Sequence, residues 1–102
     1  MDRGTTPVHT FTLPFNADVF TELKITYAQN NQIKLVKRLE DCAVDGQTIS
    51  HKLTQEETFL FDLAHKVQIQ LRGLDTHGNV MNSRIFDVPV GKCLDCEVLR
   101  NE

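Results

Sequence analysis

Three cysteines carry the most recognisable side-chain chemistry here: Cys93 and Cys96 form a Cys-x-x-Cys pair, and Cys42 lies far from both. Thiolates hold zinc tetrahedrally, so three sulfurs and one histidine would complete a site. Zinc scaffolds usually offer two such pairs, whereas this chain has one pair and one distant cysteine. A dithiol redox centre needs its pair at a helix start within a strand–helix unit. Cys93 and Cys96 instead fall in a tail without periodicity. The expected state is three free, partly packed thiols, with Cys42 near Cys93 across a sheet, and neither metal nor cofactor.

The four histidines, His9, His51, His65 and His77, are spread along the chain. His9 and His51 sit on otherwise apolar alternating faces, where a hydrogen-bonded histidine at the core margin is expected. His77 falls at a loop tip. No Ser-His-Asp order accompanies a strained nucleophile turn. Glu56 and Glu57 are adjacent, so on a helix they diverge by about 100° and cannot act as paired carboxylates. They suit the first-turn dipole instead. The five glycines form no phosphate-binding loop. A non-enzymatic chain is expected. The aromatics are six Phe and one Tyr without Trp, a core composition more than a ligand cage. Tyr27 is expected to be buried, its hydroxyl on a backbone carbonyl.

The elements that must position these residues follow from a period of two. Val67, Ile69 and Leu71 alternate with Lys66, Gln68, Gln70 and Arg72, the pattern of a strand with one buried face. A turn at 75–79 leads to a return segment with Phe86, Val88 and Val90 on one side, giving a closing hairpin. Upstream, Val8 to Phe15 places His9, Phe11, Leu13 and Phe15 on one face, and Pro14 marks an edge strand. Leu23, Ile25 and Tyr27 define the inner face of a strand over 19–29. Asn30-Asn31 marks a tight hairpin. Ile33 and Leu35 are expected to point inward on the next strand, with a bulge or an end of pairing near Val36. Asp45-Gly46 is a second turn, and Ile49, His51 and Leu53 share a face. Thr54 and Glu57 have the spacing of a capping box, and Phe59 and Phe61 re-enter the core.

Turn signals roughly every ten residues predict an all-β fold. The expectation is a single antiparallel immunoglobulin-like β-sandwich of about seven strands over 8–91, with an N-terminal arm at 1–7 and a C-terminal tail at 92–102. The length of 102 residues suits one domain, and 40% hydrophobic with 25% charged residues suits a globular chain. The net charge is −3, with basic residues scattered and only Lys37-Arg38 adjacent, which argues against nucleic-acid binding. No apolar run approaches the ~20 residues of a membrane span. The first seven residues contain no hydrophobic signal, so synthesis and folding in a cytoplasm are expected.

The stretch Leu53-Thr54-Gln55-Glu56-Glu57-Thr58-Phe59, followed by Val67 to Leu71 and the Gly78-Asn79 turn, resembles the late strands of immunoglobulin-like and fibronectin-type-III-like domains. The core disulfide and core Trp of true immunoglobulins are missing. The phrases Thr10-Phe11-Thr12-Leu13-Pro14-Phe15, Ile25 to Asn30, Lys52 to Thr58 and Val67 to Gln70 also resemble small proteins of tailed phages and prophages of Gram-positive bacteria. Their genes tend to lie among virion structural genes. That resemblance implies a virion-associated role (capsid decoration, connector or tail component) and carries over no catalytic residues. The expected partners are other virion proteins and copies of this chain, not nucleic acid or membrane. Thr5, Thr6 and Pro7 in the arm and Leu94, Val98 and Leu99 in the tail are the expected contacts, because both segments have little of their own to pack on. The alternative is that they pack back on their own domain. A second functional reading is a phage-encoded intracellular binding protein that inhibits a host protein or sequesters a small molecule. A metal-dependent enzyme built on the three cysteines is a third.

Overall fold

Alternation of apolar and polar residues produces eight strands in the computed structural model, which describes residues 1–95 and 97–100. They are β1 (Val8–Thr12), β2 (Phe20–Gln29), β3 (Gln32–Arg38), β4 (Ala43–Asp45), β5 (Thr48–Lys52), β6 (Val67–Asp75), β7 (Val80–Asn82) and β8 (Phe86–Val88). A one-turn helix α1 (Gln55–Thr58) links β5 to β6, and 3-10 turns occupy Ala17–Val19 and Leu39–Asp41.

Two antiparallel sheets result. One has the order β1-β5-β4; the other has the order β3-β2-β6-β7, with β8 also pairing β6. The strand order is that of an immunoglobulin-like sandwich. β1, β5 and β4 take the places of strands B, E and D, and β3, β2, β6 and β7–β8 take those of C′, C, F and G. The place of strand A, beside β1, is vacant among the described residues. The chain ahead of β1 runs instead alongside the opposite sheet, where Asp2 makes a parallel bridge to Gly91.

The inward faces meet as their spacing requires. Leu23, Ile25 and Tyr27 of β2 and Val67, Ile69 and Leu71 of β6 pack against Ile49 of β5 and against Leu53 and Phe61. Burying such a side chain contributes roughly 1.5–3 kcal/mol. The β2–β3 hairpin turns through Asn30 and Asn31 at φ 47° and 62°, the left-handed pair of a type I′ turn, which asparagine tolerates. The capping box of α1 forms in both directions: Thr54 accepts from the Glu57 amide, and the Glu57 carboxylate accepts from the Thr54 amide.

Two expectations need correction. Ile33 is 67% exposed, not inward. Tyr27 pairs with Leu35 and Ala28 with Ile33, so the extra residue is Lys34, and the bulge lies there and not near Val36. That shift leaves Leu35 on the core side and turns Ile33 to the outer face of Ala28. The return segment is also interrupted. Arg72 pairs with Asn82 but Ile69 with Phe86, a one-residue change of register between β7 and β8. Ser83 covers the break: its hydroxyl accepts from the Leu71 amide, and its amide donates to the Leu71 carbonyl. The three-residue β4 and this split raise the strand count to eight.

The arm has packing of its own. Met1 joins the core margin. The Met1 α-ammonium donates to the Pro89 carbonyl, and the Arg3 amide donates to the Gly91 carbonyl. Gly4 N–H donates to Thr58 Oγ1, and Leu53 N–H donates to the Pro7 carbonyl. The premise that this segment lacks internal support is therefore set aside.

Candidate functional site

Alternation on β1 sends His9 and Phe11 inward, and alternation on β5 sends His51 inward. Tyr27 descends from β2 to meet both histidines. Its hydroxyl lies 2.7 Å from His9 Nδ1 and 2.7 Å from His51 Nε2. Tyr27 thus joins the two sheets by polar contacts from β2 to β1 and β5. The expectation of a backbone carbonyl partner is corrected: both partners are imidazole nitrogens.

The hydrogens of this trio follow from one orphaned atom. His51 Nδ1 is buried with no hydrogen-bond partner among the described residues. A bare acceptor is tolerated there better than a buried N–H. His51 therefore carries its hydrogen on Nε2 and donates it to Tyr27, which donates its own to His9 Nδ1, an assignment drawn from the network. His9 keeps its remaining hydrogen on Nε2. Burial lowers His51 to about 4, aided by nearby His9, and lowers His9 as well. Burial raises Tyr27 above its ordinary value. At neutral pH the trio is uncharged, and among the described residues no carboxylate bonds to it to drive proton transfer. Chemically it can hold two sheets together; it is poorly arranged to abstract a proton.

His9 and Phe11 also form one wall of a groove of about 860 Å³ between β1 and the β7–β8 side of the opposite sheet. Leu13, Phe20, Met81 and Phe86 are among its other linings. The groove exists because no strand lies in the place of A. β1 is consequently an edge strand, as Pro14 suggested.

The other sheet edges carry features that discourage pairing. β3 bears Lys34, Lys37 and Arg38, and β4 is three residues long and ends in Asp45. β7 and β8 are three residues each, and the arm follows on at Pro89 and Gly91. β1 has five residues, no charge and no proline within it, and Val8 is 61% exposed.

The expected contact residues are distributed as follows. Thr6, Val98 and Leu99 come together beside Gln55 in a shallow depression. Gln55 grips Leu99 from both sides, its Nε2 donating to the Leu99 carbonyl and its Oε1 accepting from the Leu99 amide. Thr5 is exposed and Pro7 half-buried. Leu94 and Leu99 are 90% and 74% exposed. Cys42 and Cys93 are half-buried free thiols that donate to the carbonyls of Arg38 and Asp95. Cys96, the other half of the Cys-x-x-Cys pair, lies outside the described residues. Among those described, no three His, Cys, Asp or Glu side chains are placed to share a metal ion.

Sequence reasoning missed Gln29. It is fully buried, with Nε2 donating to the carbonyls of Asp62 and His65 and Oε1 accepting from the Asp62 amide. Its position in the inward series Leu23, Ile25, Tyr27 was the available signal. Lys37 forms an ion pair with Glu57, tying β3 to α1.

No family model, no curated protein and no solved structure matches this chain.

Proposed function

We propose that the chain is a non-catalytic assembly subunit of a tailed-phage virion, a capsid decoration, connector or tail component, acting through protein–protein contacts. The observation that carries this reading is the pairing of an unprotected edge strand, β1, with an apolar groove beside it. An exposed edge without charges is a liability unless something covers it. The uncharged state of the His9–Tyr27–His51 trio supports a structural role for the only buried polar cluster that joins the sheets among the described residues. The virion context comes from the resemblance of the phrases at Thr10–Phe15, Ile25–Asn30 and Lys52–Thr58 to small phage proteins.

The test is mass spectrometry of purified particles from the producing phage or induced prophage. Abundant peptides at a fixed copy number are the expected result. Absence from particles, with the chain present in infected cells, would contradict the reading. The second reading, an intracellular binding protein that sequesters a small molecule, would then take its place on the strength of the apolar groove.

A further inference from the structure

We propose that the free edge of β1 and the adjoining groove accept an extended peptide segment as an added antiparallel strand, with uncharged apolar side chains at alternate positions. This rests on the assembly reading above and specifies the chemistry of the partner segment.

The ladder between β1 and β5 shows which groups are on offer. The Leu13 amide donates to the Gln47 carbonyl at 2.8 Å, and the Leu53 amide donates to the Pro7 carbonyl at 2.9 Å. Antiparallel hydrogen-bonded pairs recur at every second residue. His9 and Phe11 therefore exchange bonds with His51 and Ile49, their register partners. Val8, Thr10 and Thr12 then turn their amides and carbonyls toward the vacant side. Those six groups form one row along five residues, roughly 17 Å at strand spacing.

The groove determines the partner's side chains. Residues opposite Val8, Thr10 and Thr12 would face solvent, and those between them would enter the groove over Phe11, Leu13, Met81 and Phe86. Among the described residues, no Asp, Glu, Lys or Arg side chain lines it. The charge beside it is the Met1 α-ammonium, from which the Pro89 carbonyl already accepts. Away from that end a charged side chain would be desolvated without a counter-charge, so the matching surface is uncharged. A small apolar molecule would fill the groove but leave the row of backbone groups unused. An added strand uses both, the mode known as β-augmentation.

The probe is an acetylated and amidated heptapeptide, Thr-Val-Thr-Val-Thr-Val-Thr, titrated into the full chain and followed by amide NMR and hydrogen exchange. Saturable shifts on β1 and around Phe86, with slowed exchange at the amides of Val8, Thr10 and Thr12, are expected. A second peptide, N-methylated at each Thr, retains the side chains but cannot donate to the β1 carbonyls, and its methyl groups obstruct close approach to the edge; its affinity should fall at least tenfold. No saturable binding, unprotected amides, or equal binding of both peptides would overturn the proposal. Equal binding would identify a site for apolar side chains or small molecules only. The two readings fail separately. A chain abundant in particles whose β1 amides stay unprotected there would defeat strand addition and leave the assembly role standing. Strand addition by a chain absent from particles would do the reverse.

Discussion

Tyr27 and His51 meet across the two sheets, hydroxyl to Nε2 at 2.7 Å, in the interior of the sandwich. One hydroxyl links β2 to β5 and, through His9, to β1. The contact depends on long-range pairing, since it joins residues 24 positions apart in sequence.

Replacing Tyr27 by Phe keeps the ring and removes that link. The His51 Nε2 hydrogen is left buried without an acceptor, which costs roughly 1–3 kcal/mol. For a domain of this size each kcal/mol lowers the melting temperature by about 4–8 °C. Thermal and urea denaturation of Y27F should show the loss; unchanged stability would remove the hydroxyl from the account.

Acid should act through the same trio. His51 is held near 4 by burial, against an ordinary value of 6.5. The folded state therefore binds fewer protons than the unfolded one between those values. Stability from this site is complete above pH 6.5 and erodes as the pH falls toward 4, by about 3 kcal/mol at most. Urea midpoints measured from pH 7.5 to 4 should fall over that window in the parent and less steeply in His51→Leu. Parallel profiles would contradict the placement of His51.

Gln29 holds the loop ahead of β6 by three hydrogen bonds to Asp62 and His65. Gln29→Leu fills similar space but leaves those backbone groups unpaired, at roughly 2–3 kcal/mol. Hydrogen exchange at the Asp62 amide should quicken more than exchange in β2. A uniform change, or none, would show that the loop does not depend on this side chain.

Gly73 lies on the buried face of β6, where an added Cβ would overlap the Phe20 ring. Phe20 lines the groove. Gly73→Ala must displace that ring, costing about 1–3 kcal/mol as overpacking. It should also weaken the heptapeptide if the groove is the binding surface. Calorimetry and the peptide titration together check both effects.

Much of this architecture is legible in the sequence because one buried face per strand forces a period of two. Leu23, Ile25 and Tyr27, Ile49, His51 and Leu53, and Val67, Ile69 and Leu71 all announce their faces this way. Asn30-Asn31 and the Thr54–Glu57 pair are equally direct, since backbone geometry or a specific hydrogen bond demands those residue types. Ile33 was misread because a bulge changes facing by one residue, and Lys34 leaves no mark of its own in the composition. The His9–Tyr27–His51 trio could be suspected residue by residue, as each stood on an apolar face. Its joining depends on how β1 and β5 stack over β2, which no local spacing encodes. The vacant strand position beside β1 is harder still to read, because it depends on the route taken by residues 1–7.

The most direct measurement is hydrogen exchange at the amides of Val8, Thr10 and Thr12, compared between the isolated chain and the chain within purified particles. Rapid exchange in isolation and strong protection in the particle are the expected pair of results. Slow exchange in the isolated chain, or equal exchange in both states, would contradict the claim that β1 is a free edge awaiting its partner.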